Sequence, residues 1–151
     1  MSENIIDKLD REEIRIAPLG KRAWAFLIDD VLISALFVIV YWGALAPHFE
    51  DAAGLVEAIS NLIVQLTLLK IIYHTFFIWY YGATLGKIAL HLVCLDTVML
   101  GKPKFFASLT RACVRVISEW CFYLGFAWAL GNPLRQTWQD KLAGTVVCEA
   151  Y

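Results

Sequence analysis

Residues 19–31, LGKRAWAFLIDDV, decide how this chain must fold. The basic pair Lys21 and Arg22 leads directly into an apolar run, and that run contains two adjacent carboxylates, Asp29 and Asp30. An aspartate at the centre of a membrane-spanning helix costs about 2.5 to 3.5 kcal/mol, so such a residue points to a partner or a function. The stretch therefore predicts a membrane helix with a buried polar site whose partners lie elsewhere in the chain.

The composition places the whole chain among membrane proteins. Of its 151 residues, 60% are hydrophobic, 18% are charged and six are tryptophan, and the mean hydropathy is +0.61. A soluble domain is less apolar than this, and the length fits one domain. Nucleic-acid-binding proteins carry a clustered basic surface. Because the formal net charge here is −1, we expect the lipid bilayer as a partner and not nucleic acid.

Motif spacing indicates neither metal binding nor catalysis. The cysteines form no Cys-x-x-Cys pair, so we expect reduced thiols, no metal site and no cofactor. No nucleophile and base stand at catalytic spacing, and we therefore do not expect an enzyme. The four cysteines are Cys94, Cys113, Cys121 and Cys148.

Three apolar segments predict membrane spans at about residues 23–45, 59–81 and 112–130. Each is long enough to cross a hydrocarbon core of about 30 Å, or most of it, at 1.5 Å per residue. The segment before them mixes charged and apolar residues, which predicts either a cytoplasmic tail or an interfacial helix. We therefore divide the chain into this N-terminal segment, residues 1–20, and a membrane domain, residues 21–151.

The charges that flank the first span predict its orientation. Basic residues crowd before this span, whereas the loop at residues 46–57 contains three acids and no lysine or arginine. Basic flanks stay on the cytoplasmic side, so the N-terminus is predicted to be cytoplasmic. We expect a multi-pass protein of the cell membrane, which in bacteria is the inner membrane.

Short strands are predicted beyond the second span. Residues 90–106 favour a cytoplasmic β-hairpin with its turn near residues 96–101, and the β-branched run at residues 145–148 needs a strand partner. The last apolar segment has two interpretations. A single span over residues 112–130 would place the C-terminus outside, whereas a bent pair of half-spanning helices in the same region, before the break at residues 131–133, would return the tail to the inside, where it could meet the hairpin. Basic residues in the tail favour the return.

Charged residues in all three spans lie at similar predicted depths. Counting from the cytoplasmic boundary puts most of them roughly 6 to 12 Å deep, and the one lysine can snorkel to the same layer. Three acids face two bases, so one carboxylate has no basic partner and could hold a proton or a cation. Two interpretations stay open, namely that these charges lock the helices together or that they serve transport. The residues are Asp29, Asp30, Lys70, His74, Arg115 and Glu119.

Three motifs, in order, resemble the RDD family, which is named for one arginine and two aspartates. The first is PLGKRAWAFLIDDVLI, with Arg22 and Asp29; the second is YYGATLGK, a G-x-T-x-G-K segment; the third is TWQDKLAGTVV, a D-x-x-A-G-T segment. The resemblance covers about residues 18–147, and Asp30 is an additional acid where the family is usually apolar. The matching residues of the second and third motifs are Gly82, Thr84, Gly86, Lys87, Asp140, Ala143, Gly144 and Thr145.

The resemblance implies a membrane protein, and a transport role has been proposed for the family's members, including cation/proton exchange in some. It also implies that Arg22 and Asp140 are two ends of one constellation, which puts the tail on the side of Arg22. We expect this pair at the cytoplasmic boundary, with Asp29 as the buried acid and Lys70 or Arg115 as its counter-charge.

We therefore predict an all-α membrane protein with three to four transmembrane or half-spanning helices and a small cytoplasmic β-hairpin or strand element. One function is transport of a cation, a proton or a small solute through an oligomer. The alternative is a non-transporting assembly or anchor module in which the buried charges serve helix packing. Because transporters generally use paired repeats and no internal repeat is visible, we expect a homo-oligomer or a membrane partner protein.

Overall fold

The computed structural model describes residues 2–150, most of which are helical. Three longer helices carry the apolar segments: α2 (Leu19–Val40), α5 (Ile63–Tyr81) and α7 (Phe105–Trp120). Two 3-10 turns follow α3 and α8, at Ala46–His48 and Trp128–Gly131. The remaining elements are α1 (Ser2–Arg11), α3 (Trp42–Leu45), α4 (Ala52–Asn61), α6 (Leu85–Ala89), β1 (Leu92–Asp96), α8 (Leu124–Ala127), α9 (Trp138–Ala143) and β2 (Thr145–Glu149).

Two of these helices, α2 and α5, are long and apolar enough to cross a membrane. The third apolar segment is a bent pair, in which α7 and the helical residues Leu124–Gly131 meet at 108°. Phe122 and Tyr123 lie at the bend with φ values of 54° and 60°, a left-handed conformation that does not continue an α-helix. The structure therefore has the bent form of the last segment and not a straight helix.

The helix bounds differ from the predicted spans by a few residues. Helix α2 begins at Leu19, because Pro18 is extended and its carbonyl already accepts a hydrogen bond from the Arg22 N–H at 3.2 Å. The helix ends before the predicted boundary because Tyr41 leaves helical geometry. The second predicted span is divided at Leu62, which has a ψ of 10° and separates α4 from α5.

Strands β1 and β2 form an antiparallel sheet in which Cys94 lies opposite Val147. Residues 15–17 lie along the other edge of β2, where the Ala17 N–H donates to the Val147 carbonyl at 3.0 Å. The expected strand partner for the tail is confirmed. The sheet also brings the end of the described chain next to the start of α2.

The predicted hairpin at residues 90–106 is wrong, because the second strand does not form. The Asp96 carboxylate accepts hydrogen bonds from the backbone N–H groups of Val98 at 2.8 Å and Met99 at 3.3 Å, which closes a tight turn. Pro103 cannot donate to a β-ladder, and α7 begins two residues later. Strand β1 therefore pairs with the tail instead of with the residues that follow it.

In the N-terminal segment, α1 is helical and packs on the sheet. Leu9 of α1 is buried in a cluster with Leu134, Val146 and Cys148. By contrast, only 22% of an apolar 18-residue stretch of α2 and 17% of the corresponding stretch of α5 is buried. The packed core therefore lies at the sheet end of the protein, and the long helices present apolar surface of the kind that faces lipid.

Candidate functional site

Asp140 is fully buried where three parts of the chain meet. Thr137, at the N-cap of α9, donates to Asp140 Oδ2 from its backbone N–H at 3.1 Å and from its hydroxyl at 2.9 Å. Arg22, in the first turn of α2, donates to the same oxygen, and Arg111 of α7 donates to Oδ1. One carboxylate thus joins α2, α7 and α9.

The two arginines keep Asp140 ionised. Burial alone disfavours the charged carboxylate, but the positive charges of Arg22 and Arg111 outweigh burial and hold the pKa of Asp140 well below its usual value. The predicted pairing of Arg22 with Asp140 is present in the structure.

Arg111 is a site residue that the sequence analysis missed. Besides Asp140, its guanidinium reaches the Thr145 hydroxyl at the start of β2. A signal for it was available, because Arg111, Arg115 and Glu119 are spaced four residues apart and share one face of α7. Arg111 lies one residue before the predicted span at residues 112–130, and it is therefore absent from the charged residues counted within the spans.

Asp29 is fully buried and is satisfied by neutral donors. The Tyr73 hydroxyl donates to Oδ1 at 2.9 Å, the Gly86 N–H donates to Oδ1 at 2.9 Å, and the Thr84 hydroxyl donates to Oδ2 at 2.6 Å. Within residues 2–150, no cation lies within 4 Å of this carboxylate. The predicted counter-charge from Lys70 or Arg115 is therefore wrong for Asp29.

Those two cations face the neighbouring acid instead. Lys70 Nζ and Arg115 Nη2 each lie 3.7 Å from Asp30 Oδ1. Consecutive residues on an α-helix point about 100° apart, so Asp30 turns towards α7 while Asp29 turns towards α6. The two aspartates consequently have separate surroundings, and the extra acid Asp30 belongs to the ion-pair network.

Four charged side chains form this network, which we call the quartet: Asp30, Lys70, Arg115 and Glu119. Lys70 Nζ lies 2.6 Å from Glu119 Oε2, and Arg115 Nε lies 3.3 Å from Glu119 Oε1. The Arg115 guanidinium also lies 3.8 Å from the centre of the Phe26 ring, a favourable cation–π distance. The two negative and the two positive charges of the quartet therefore balance.

Two concave spaces border the quartet at successive levels of α5 and α7. A groove of about 220 Å³ is lined by Lys70 and Glu119 and involves residues 63–70 of α5. A small space of about 20 Å³, which we call the His74 cavity, is lined by His74 and Ile78 of α5 together with Arg115. The quartet therefore lies between the groove and the His74 cavity along these helices.

The His74 cavity is rich in nitrogen groups. His74 is 4% exposed, and its Nε2 has no hydrogen bond among the described residues. Lys87 also lines the cavity; its ammonium donates to Cys94 Sγ at 3.2 Å, and burial lowers its pKa. Arg111 and Gln139 complete the polar lining. His74 thus lies near the quartet, as predicted, but in a different space.

The predicted charge cluster therefore separates into four sites. Asp30, Lys70, Arg115 and Glu119 meet in the quartet, Arg22 meets Asp140, Asp29 lies apart, and His74 lines its own cavity. In the part of the chain that the structure describes, no group of three or more His, Cys, Asp or Glu side chains is placed to hold a metal ion. The arrangement offers buried ion pairs and hydrogen bonds to a carboxylate.

Comparison with known proteins agrees with this arrangement of motifs. Residues 16–144 match the RDD family. The chain belongs to the RDD family. It is 31% identical over 92 residues to an uncharacterised protein of Rickettsia prowazekii (strain Madrid E), a match that covers 60% of this chain and 51% of the relative. The match thus spans about half the length of that curated relative. No solved structure matches the chain significantly.

The RDD motif residues have identifiable physical roles in this fold. Gly82 ends α5 with a φ of 77°, and Gly86 brings α6 against α2, since a Cβ there would lie 2.2 Å from the Ala25 carbonyl oxygen. In the closing motif, Ala143 ends α9 and Gly144 follows with a φ of 65°, which turns the chain into β2. The glycines therefore shape the backbone so that the polar motif residues can reach their partners.

Proposed function

We propose that this RDD-family protein is a multi-pass membrane protein, in bacteria of the inner membrane, that moves a proton or another small ion through an oligomer. The observation that carries the proposal is the position of the quartet between the groove and the His74 cavity. Titratable side chains that connect two concave spaces at membrane depth are the usual markers of an ion or proton pathway. We therefore propose that the protein is a transporter and not an enzyme.

Among a cation, a proton and a small solute, a proton fits best. Glu119 and Asp30 each lie beside two cations, so a proton taken up by either carboxylate can be released again with little movement. Beyond them, the His74 cavity is lined by Lys87, Arg111 and Arg115. Because no carboxylate of the described chain lines this cavity, a metal cation would find no anionic oxygen ligand there, whereas an imidazole such as that of His74 can accept and donate a proton.

An oligomer or a membrane partner completes the proposed pathway. Most of the apolar surface of helices α2 and α5 is exposed. Two or three membrane crossings are also too few to enclose a pathway for an ion within one copy of the chain. We propose a cytoplasmic N-terminus. Because Arg22 and Asp140 are paired, the described end of the tail lies on the side of the α2 start, and the proposed orientation makes that side cytoplasmic.

Flux through reconstituted vesicles tests this function. Purified protein is placed in liposomes that contain a pH-sensitive dye, and a proton gradient is imposed. We expect wild-type protein to dissipate the gradient, and Asp30→Asn and Glu119→Gln each to slow it at least tenfold. Glu57→Gln, an exposed acid of α4, is the matched control and should leave the rate unchanged. Equal rates in all four proteins, each shown to be folded by size-exclusion chromatography, would contradict the proposal.

A second candidate is a membrane assembly or anchor module. The observation that favours it is the charge balance of the quartet, since each carboxylate already faces a cation, as in a structural lock between helices. This function predicts vesicles without flux, together with capture of a second copy or another membrane protein by cross-linking. The same reconstituted sample therefore discriminates the two candidates.

A further inference from the structure

An apolar groove of about 250 Å³ lies between α5 and α7, and we call it the Trp79 groove. It follows α5 from Ile71 to Trp79, a distance of about 12 Å at 1.5 Å per residue. Its one polar lining residue, Thr75, is 6% exposed, so hydrocarbon forms nearly all of the open wall. The other lining residues are Ile72, Phe76, Phe105 and Leu109. The groove is therefore suited to an elongated apolar group such as an acyl chain.

Two exposed lysines lie at the end of the Trp79 groove where α5 ends and α7 begins. Lys102 Nζ donates to the carbonyl oxygen of Tyr80, the residue after Trp79, at 3.2 Å. Lys104 directly precedes Phe105 of the groove wall. Within residues 2–150, neither lysine nitrogen has a carboxylate oxygen within 4 Å. Both positive charges can therefore face a negative group at this end of the groove.

The helices that form the groove place no acid beside these lysines. Helix α5 contains no aspartate or glutamate, and α7 has none before Glu119. The carboxylate of Asp96, the acid nearest in sequence, accepts hydrogen bonds from the backbone of the turn that follows it. No side chain of the described residues caps the start of α7, so the positive end of the helix dipole adds to the two lysine charges. This end of the groove is therefore complementary to a phosphate group.

Exposed apolar side chains accompany the lysines in residues 98–106. Val98, Met99 and Phe106 are 72%, 77% and 78% exposed. Apolar side chains interspersed with lysines are typical of segments that lie in the interfacial region of a membrane, and tryptophan and tyrosine, the residue types at positions 79 and 80, are enriched at the same level. With α5 as a membrane span, this end of the groove lies at the level of the lipid headgroups.

We propose that the Trp79 groove binds one anionic phospholipid, whose acyl chain lies along α5 and whose phosphate lies beside Lys102 and Lys104. A free phosphate would leave the apolar groove empty, and a partner helix would cover the groove without using the two lysines. A zwitterionic headgroup carries a positive charge that these lysines repel, so an anionic headgroup is favoured. The site rests on the membrane embedding in the proposed function, and it does not depend on ion transport.

Fluorescence quenching by brominated lipids tests the site in phosphatidylcholine nanodiscs that hold the full chain. The bilayer contains the same small mole fraction of either brominated phosphatidylglycerol or brominated phosphatidylcholine. The difference in signal between wild-type protein and Trp79→Phe isolates the quenching of Trp79. Because each lysine near the headgroup enriches an anionic lipid, we expect brominated phosphatidylglycerol to quench Trp79 at least twice as strongly. Equal quenching by the two lipids would overturn the proposal.

Competition separates a bound lipid from a bound phosphate. Unbrominated phosphatidylglycerol should relieve the quenching of Trp79, and soluble glycerol phosphate should leave it unchanged. Relief by glycerol phosphate would show a site for the phosphate alone and would contradict a lipid in the groove.

Trp42 is the matched control for the position of the tryptophan. It is 56% exposed in α3, and the sequence has no lysine or arginine at residues 23–69. The same subtraction with Trp42→Phe should show equal quenching by the two brominated lipids. An equal preference for phosphatidylglycerol at Trp42 and at Trp79 would mean that no local site exists.

The double variant Lys102→Gln/Lys104→Gln should remove the lipid preference at Trp79. Lys8→Gln/Arg11→Gln, which removes two exposed positive charges from α1, is the control and should retain the preference. A folded Lys102→Gln/Lys104→Gln protein that keeps the full preference would overturn the assignment of the headgroup. Wild-type protein that shows the preference in nanodiscs but no proton flux in liposomes would contradict the proposed transport and leave the lipid site intact.

Discussion

Arg22 and Asp140 are 118 positions apart in the sequence and form one buried ion pair. This pair closes the fold, because it joins the first turn of α2 to the helix that precedes the final strand. The same carboxylate also binds Arg111, so three elements depend on one negative charge. Breaking a buried pair leaves an unpaired charge in a medium of low dielectric constant.

Asp140→Asn should therefore be among the most damaging single substitutions. It leaves two arginines with a neutral partner, and we expect a loss of about 3 to 5 kcal/mol in the free energy of unfolding. Thermal unfolding in detergent measures it, with Asp10→Asn on the exposed side of α1 as the control. A difference in Tm of less than 2 °C between the two variants would refute the central role of this carboxylate.

The pH dependence of the same pair has a definite sign. The pKa of Asp140 is lower in the folded protein than in the unfolded chain, so its stabilising contribution is complete above the unfolded value near 3.9. That contribution declines as the pH falls through and below this value, towards the folded pKa. We expect wild-type Tm to fall more steeply between pH 4 and pH 2.5 than that of Asp140→Asn. Parallel curves for the two proteins would count against an ionised Asp140.

Much of this architecture could be predicted from residue patterns, and the failures have physical causes. The ion pair of Arg22 with Asp140 followed from the family motifs, and the bent last segment followed from charge in the tail. The partners of Asp29 could not be predicted in this way, because they depend on the direction in which its side chain points relative to that of the neighbouring Asp30. The predicted hairpin does not form because the Asp96 carboxylate accepts hydrogen bonds from the backbone N–H groups of Val98 and Met99, which closes a turn, and Pro103 cannot donate to a ladder. Strand β1 pairs with the tail instead.

Gly86 tests the close approach of α6 to α2. In Gly86→Ala, the new Cβ would lie 2.2 Å from the Ala25 carbonyl oxygen and 3.0 Å from the Asp29 carboxylate, so α6 must move and its N–H must leave Asp29. We expect a loss of more than about 2 kcal/mol in stability, since overpacking and a lost charge-assisted hydrogen bond add. Gly20→Ala in α2 is the matched control, because a Cβ there meets nothing within 4 Å. A neutral Gly86→Ala would mean that α6 and α2 are not packed this closely.

Thr84 tests whether the buried Asp29 depends on neutral donors. Thr84→Val removes the hydroxyl that donates at 2.6 Å and keeps the shape, and we expect a loss of about 1.5 to 3 kcal/mol, as for a hydrogen bond to a charged group. Thr67→Val is the control, because its hydroxyl donates only to the Ile63 carbonyl of its own helix, and it should change stability by less than about 0.5 kcal/mol. Equal effects of the two changes would remove Thr84 from the Asp29 site.

The sheet predicts which parts of the chain share one side of the membrane. Lys21 Nζ lies 2.5 Å from Glu149 Oε1, so cysteines introduced as Lys21→Cys and Ala150→Cys must be on the same side. With a membrane-impermeant maleimide, we expect both to react in inside-out vesicles only, and Ala53→Cys at the start of α4 to react in right-side-out vesicles only; the unsubstituted chain gives the background. Reaction of the first two from opposite sides would contradict the contact between the tail and α2. Reaction of both from outside would instead reverse the proposed orientation and leave the fold intact, so the two errors can be told apart.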